Sequence, residues 1–230
     1  MRFLFTFFQI IIFTFFCNGQ TVTDFKSVME KIQQQKMISG PNNLEENQIS
    51  GSPYLNKQFR SCLIIKTDHS EIRDMSLRYN IFRNTMEFKQ RETIMEIADP
   101  TLIGRIVFDS CVFIYAPYTA ASKIRLGYFQ LLIEGKYQLL KMYKVDFKRS
   151  SKINDIGPTS VSNRFESLPP DYYLRYGTGM AYLLNSQKGL IKAIQPISQE
   201  VIDTIQQKKI NVHNETELIN TVIFINSSAN

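Results

Sequence analysis

The chain reads as a mainly β protein of the α+β kind, in which an antiparallel sheet, built as a sandwich or a half-barrel, carries a C-terminal helical hairpin. Three observations predict this. From Tyr54 to Lys148, apolar and polar residues alternate in strand-length runs separated by polar turns. The chain has 17 Phe and 11 Tyr but no Trp, and aromatic rings suit a pleated, half-buried surface. After Ser198 the apolar period lengthens from that of a strand to that of a helix. At 230 residues with 43% hydrophobic and 21% charged content, the chain can bury one core of its own and is too apolar to be disordered.

The N-terminus reads as a signal peptide over residues 1–19. Met1-Arg2 is a short basic start, and Phe3 to Phe16 is apolar except for Thr6, Gln9 and Thr14. Cys17 and Gly19 then supply small residues at the spacing a signal peptidase reads before cutting ahead of Gln20. This run is shorter than the ~20 apolar residues that span a bilayer, which argues against a retained anchor and for no transmembrane span after cleavage. A lipoprotein cut ahead of Cys17 is disfavoured, since Phe15 and Phe16 stand where small residues are wanted. The expected address is therefore the periplasm or cell envelope. Cleavage removes Arg2 and lowers the formal charge from +6 to +5. For an exported protein this basicity points away from nucleic acid and towards anionic envelope surfaces, or simply to a solvated face.

Residues 20–50 read as a lead-in linker. "FKSVMEKIQQQKM" can form a short helix, and the Gly-, Pro- and Asn-rich stretch after it is turn-like. The domain proper is expected over 51–226. Its first strand is "QFRSCLIIKT", followed by the turn "DHSE" and then "LRYNIFRNTMEFKQ" (77–90). A two-residue turn at Arg83-Asn84 would pair Ile81 with Met86 and Tyr79 with Phe88, apolar against apolar. Arg78, Asn80 and Glu87, joined by Phe82, then share the opposite face, a candidate ligand or partner surface. "TIMEIAD" and "GRIVFDSCVFIYAPY" continue the strands, and a second hairpin turns at Glu134-Gly135. That hairpin is apolar on both faces, as expected for a doubly buried sheet, a barrel wall or a sheet with one greasy concave side.

Residues 149–170 are rich in small polar residues and end in two prolines, so a flexible loop or flap is expected there. "DYYLRYGTGMAYLL" and "GLIKAI" return to strand character. The helical hairpin follows over 198–225, with Ser198 and Asn214 as caps, Val201, Ile202 and Ile205 as an apolar stripe, and Lys208 and Lys209 at the first helix's end.

The residues offer little catalytic chemistry. The two histidines, His69 and His213, lie in a turn and before a helix cap, with neither cysteine nor histidine at ligand spacing, so no metal site is expected. No nucleophile elbow accompanies them. "GTG" at 177–179 lacks the residues of a phosphate loop, and no cofactor is expected. Carboxylate pairs such as Glu166 and Asp171 carry no weight in a chain with 21 acidic residues. Asn214-Glu215-Thr216 and Asn226-Ser227-Ser228 match glycosylation sequons, which matter only in a eukaryotic secretory pathway. Tyr172, Tyr173 and Tyr176 are candidates for a ligand surface, though the plainer reading is core. Cys62 and Cys111 sit in strand-like runs, and a disulfide between them or two free thiols both fit an exported protein.

"GSPYL" (51–55), "LRYN" (77–80), "MEF" (86–88) and "GYF" (127–129), in this order, resemble a functionally uncharacterised group of exported proteins common in Bacteroidota. The resemblance covers about residues 51–225 and implies a bacterial cell-envelope setting; it carries over no catalytic residue. The expectation is a non-catalytic envelope protein that binds an envelope protein, glycan or lipid or plays a structural part. The alternative is a periplasmic carrier of a lipid or other apolar ligand. A filled sheet interior favours the first, and an open apolar cleft the second.

Overall fold

The computed structural model describes residues 49–149, 163–194 and 197–228. The signal peptide, most of the lead-in linker, and residues 150–162 of the expected loop lie outside them.

Ten strands form one sheet: β1 Arg60–Lys66, β2 Glu71–Asn80, β3 Thr85–Gln90, β4 Thr93–Glu96, β5 Ile103–Phe108, β6 Cys111–Ala120, β7 Lys123–Ile133, β8 Tyr137–Lys148, β9 Arg164–Tyr176 and β10 Ala181–Leu183. Their spatial order is β10-β9-β8-β7-β6-β5-β1-β2-β3-β4, and β10 also pairs with β6. That last pairing, parallel at Ala181 and Tyr118, closes β6 to β10 into a five-stranded barrel. An up-and-down run of five strands brings its first and last into the same direction, so the closure must be parallel. The fold is mainly β as the sequence predicts, with a closed barrel where a sandwich or half-barrel was expected.

Alternation along β6 to β9 splits the apolar residues into two sets. Ile114, Ala116, Phe129, Leu140, Met142, Tyr173 and Ala181 face inward and fill the barrel. Outward-facing Phe113 and Tyr128 pack against Ile64, Leu77, Tyr79, Met86, Phe88 and Ile106 from the N-terminal strands, which curl over the barrel as a second layer. Outward-facing Tyr137, Leu139, Tyr172 and Leu174 are covered by the helices. The 127–147 hairpin is thus apolar on both faces because it is a barrel wall with a second layer behind it.

Bulges bend the strands to this curvature. One stands where β8 and β9 pair Met142 with Asp171 but Lys144 with Leu168. Pro169 and Pro170 therefore occupy two positions opposite Tyr143 alone, where a missing N–H costs little. This corrects the expected loop: its last part, 164–170, is strand paired to β8, and the prolines mark a bulge inside a strand.

The β2–β3 hairpin also turns differently. Tyr79 pairs with Met86 and Leu77 with Phe88, so the turn spans four residues, Ile81–Asn84. The partner shift is two residues, which leaves every side chain on its expected face. Asn84 takes φ 53°, and its side-chain Oδ1 accepts the Tyr128 N–H at 2.7 Å. That bond holds the hairpin tip on the barrel wall, over Gly127, where a Cβ would lie 3.0 Å from Asn84 Nδ2 and 3.1 Å from Tyr118.

Three helices follow the barrel: α1 Gln187–Ala193, α2 Gln199–Lys208 and α3 Glu215–Ser228. The first replaces the strand expected at "GLIKAI". Ser186 Oγ accepts the Gly189 N–H at 3.1 Å, and Leu190 and Ile194, one turn apart, are fully buried. The expected hairpin is α2 and α3; Val201, Ile202 and Ile205 of α2 are buried, Val201 and Ile205 in the cluster shared by the helices and the sheet. Asn214 caps α3 through the Glu217 N–H at 3.2 Å, while Glu217 reaches back to the Asn211 N–H at 2.9 Å. Asn226 accepts the Tyr137 N–H at 2.8 Å and donates to its carbonyl at 2.9 Å, pairing α3 to β8 as another strand would. No helix among the described residues is long and apolar enough to cross a membrane.

Glu215, at the start of α3, accepts from Tyr172 Oη at 2.8 Å and pairs with Lys141 at 2.6 Å. Burial would raise its pKa, but these two partners outweigh it and hold the carboxyl below the ordinary carboxylate range. A lowered folded-state pKa contributes stability that is complete above the unfolded value of ~4.3 and lost as pH falls through the folded value. Acid unfolding of wild type should therefore be steeper below about pH 4.3 than that of Glu215→Gln, read by circular dichroism across a pH series. Parallel curves would remove Glu215 from the docking of α3.

Candidate functional site

The segment preceding β1 runs as an arm beside β2. Pro53 O accepts the Ile81 N–H at 2.7 Å, and the Leu55 N–H donates to Tyr79 O at 3.1 Å. Gly51 sits at φ 81° against the Phe165 carbonyl, where a Cβ has no room. Arm and sheet together enclose the predicted mixed face. Arg78 Nε donates to Glu87 Oε2 at 2.8 Å, and its Nη2 to Tyr54 Oη at 2.8 Å. Asn80 Nδ2 donates to Glu87 Oε1 at 2.7 Å. The guanidinium also lies over the rings of Tyr54, at 3.8 Å, and Phe59, at 4.6 Å. Asn80 and Glu87 are buried, so three of the predicted surface residues form an internal network that the chain covers itself.

Phe82 stands apart from them. It is 49% exposed and meets Phe165 and Phe147 edge-on, with ring centres 5.5 and 6.4 Å away. The tyrosines of β9 divide by strand alternation. Tyr173 fills the barrel against Phe129, with centroids 5.1 Å apart. Tyr172 lies under the helices, and Tyr176 is exposed beside Tyr137. The seven residues do not converge on one surface.

Cys62 and Cys111 are both free. Cys62 on β1 and Cys111 on β6 are separated by β5, with Phe108 between them: Leu63 pairs with Val107, and Phe108 with Cys111. Two strand spacings of ~4.8 Å put them about 10 Å apart, beyond the ~7 Å a disulfide tolerates. Cys62 donates to Met75 O at 3.0 Å, and burial pushes its thiol up to about 12.

The structure does bring a different set together. A cleft of about 270 Å³ opens where the arm crosses the seam between β1–β2 and the outer barrel wall. Leu55, Asn56 and Gln58 of the arm form one side, and Gln130 and Tyr143 of β7 and β8 the other. Phe108, Phe113 and Tyr79 lie between, with Ser110 and Cys111 at one end. Tyr143 Oη donates to Gln130 Oε1 at 2.6 Å. Tyr79 is 3% exposed, and its hydroxyl has no partner among the described residues. Burial raises the pKa of Tyr79, Tyr143 and Cys111, so all three are neutral hydrogen-bonding groups at neutral pH.

The two arginines of the cleft are each opposed by a carboxylate: Arg78 by Glu87, and Arg60 by Asp109 at 3.4 Å. The cleft is therefore close to electrically balanced. It combines ring surfaces with amide and hydroxyl groups, a combination suited to a neutral ligand with one apolar face and a polar edge. Of the cleft residues, sequence reasoning offers Arg78 as part of a ligand or partner surface and Cys111 only as half of a possible disulfide, and it misses Tyr79, Gln130 and Tyr143. Gln130 gave a signal, a lone amide inside the apolar run "GYFQLLI".

The two histidines are exposed in separate turns, His69 at φ 65° after β1 and His213 before α3. Among the described residues, no three His, Cys, Asp or Glu side chains are grouped to hold a metal ion. Comparison with family models, with curated proteins and with solved structures finds no match to this chain.

Proposed function

We propose that this chain is an exported cell-envelope protein of non-catalytic binding type whose ligand is a neutral glycan, received as a sugar ring in the cleft beneath the arm. The observation that carries the reading is a cleft whose arginines are already paired and whose uncharged amides and hydroxyl, from Asn56, Gln58, Gln130 and Tyr143, stand beside aromatic rings. The rings of Phe108 and Tyr143 match the apolar face of a pyranose, while Asn56, Gln58 and Gln130 match its edge. The basic start and short apolar run of residues 1–19 support export. The barrel interior is filled, with Phe129 and Leu140 fully buried, which weighs against the apolar carrier.

Tyr143→Phe tests this reading. The substitution removes a cleft hydroxyl and keeps the ring, so folding stability should fall by no more than ~1 kcal/mol, the one hydrogen bond to Gln130. Binding of neutral saccharides, screened by native mass spectrometry and measured by calorimetry, should weaken by ~3–10-fold, the loss of one neutral hydrogen bond. Saccharide binding that Tyr143→Phe leaves unchanged, or no saccharide binding at all, contradicts the proposal. A co-purified lipid would favour the carrier instead.

A further inference from the structure

At the other side of the barrel, Arg175 stands one residue before the end of β9. It shares the inward face with Tyr173, pairs across the ladder with Ala181 of β10, and is only 9% exposed. Its Nε donates to Gly179 O at 3.0 Å, in the turn that leads to β10. No carboxylate opposes it among the described residues, and burial alone lowers its pKa from the ordinary arginine range. Arg60, Arg73, Arg78, Arg83, Arg105 and Arg164 each pair with an acid, and Arg91, Arg125 and Arg149, which have no described ion pair, are exposed. A guanidinium cannot shed its proton, so burying it without a counter-charge is unfavourable.

A second observation lies directly across the β8–β9 ladder. Gln138 is the register partner of Arg175, and its Oε1 is buried without a hydrogen-bond partner. Opposed residues on one face of an antiparallel pair have Cβ atoms about 4.5–5.5 Å apart. The barrel mouth therefore holds a buried cation, without a counter-charge among the described residues, across the ladder from a buried amide acceptor, near the turns that follow β7 and β9.

We propose that this mouth binds a small oxyanion that carries its own hydrogen-bond donor, the oxyanion pairing with Arg175 and the donor meeting Gln138. Two sources share that chemistry: a hydrogenphosphate group, and an α-amino carboxylate. In both, the planar guanidinium takes two oxygens side by side, while the P–OH or the ammonium group reaches Gln138 Oε1. This site is separate from the cleft beneath the arm and does not rest on the glycan reading.

Thermal unfolding of the full chain in potassium phosphate, in glycine and in sodium chloride at matched ionic strength tests the proposal. A specific site raises the melting temperature saturably with ligand concentration, whereas phosphate acting by exclusion from the surface raises it without saturation. Wild type should show a saturable rise in phosphate or in glycine that chloride does not reproduce, and the responding probe identifies the source. Arg175→Met should lose that rise and, in chloride, unfold no lower than wild type, because an unopposed buried charge has been removed. Gln138→Leu should keep the fold and move the half-saturating concentration up by several-fold. A rise that never saturates, one that Arg175→Met retains, or no rise in either probe overturns the proposal. Arg175→Met destabilised in chloride, with wild type unresponsive to both probes, would assign Arg175 to holding Gly179 alone.

Discussion

Replacing Glu87 by alanine is expected to cost about 3–5 kcal/mol of folding stability, the range for removing one partner of a buried ion pair. The Glu87 side chain is 5% exposed and that of Arg78 9%. Its two oxygens accept from Arg78 and from Asn80, so the truncation orphans a guanidinium and an amide together. Glu87→Leu combined with Arg78→Met should recover most of the loss, since an apolar pair of similar volume avoids the desolvation that the ion pair must offset. Urea unfolding measures both variants. Glu87→Ala within about 1 kcal/mol of wild type would mean that the pair behaves as a solvated surface bridge, and that the arm does not cover it.

Phe129→Ala should cost a similar amount, about 3–5 kcal/mol, for a different reason. Phe129 is fully buried in the barrel, edge-on to Tyr118 at 5.4 Å and to Tyr173 at 5.1 Å. Closed strands cannot move inward to fill the space of a ring, so the variant should retain a dry cavity bordered by Ile114, Leu140 and Tyr173. Such a cavity takes a small apolar solute. Benzene should therefore raise the melting temperature of Phe129→Ala and leave that of wild type unchanged. A cost below about 1 kcal/mol, or an equal benzene response in wild type, would show that the interior is loosely packed.

The strands were legible because alternation is a local signal. Tyr79, Ile81, Met86 and Phe88 are expected on one face of the hairpin; Tyr79, Met86 and Phe88 are buried there, and Ile81 is part-buried. The length of the turn was not legible, because Ile81 leaves the ladder to donate to Pro53 O in the arm, far upstream in sequence. The strand over 164–170 was hidden by prolines that a bulge accommodates opposite Tyr143, and the bulge belongs to the pairing of two strands. The helix at 187–193 carried a readable cap in Ser186, but its apolar residues, Leu190, Ile191 and Ile194, are too few to separate a helical period from a strand. Barrel closure through Ala181 and Tyr118 joins residues that no local pattern connects.

The candidate site was legible only in part, for the same reason. Arg78, Asn80 and Glu87 were recognised as a polar face, but nothing in the hairpin says that residues 50–59 lie over it. Tyr79 is read as a core residue, and so it is; the cleft beside it opens because Tyr143 and Gln130 stand on strands from the other layer.

Cys111 is a built-in reporter for that cleft. It lines the cleft and is part-exposed, whereas Cys62 is buried and donates to Met75 O. The most direct measurement is the rate at which iodoacetamide alkylates Cys111, followed by peptide mass, with and without a saturating neutral saccharide. The account predicts that a saccharide found to bind wild type slows alkylation at Cys111 and leaves it unchanged at Cys62. It also predicts that Tyr143→Phe needs ~3–10-fold more saccharide for the same protection. Alkylation of Cys111 at the same rate with and without the bound saccharide would place the ligand elsewhere and contradict the account.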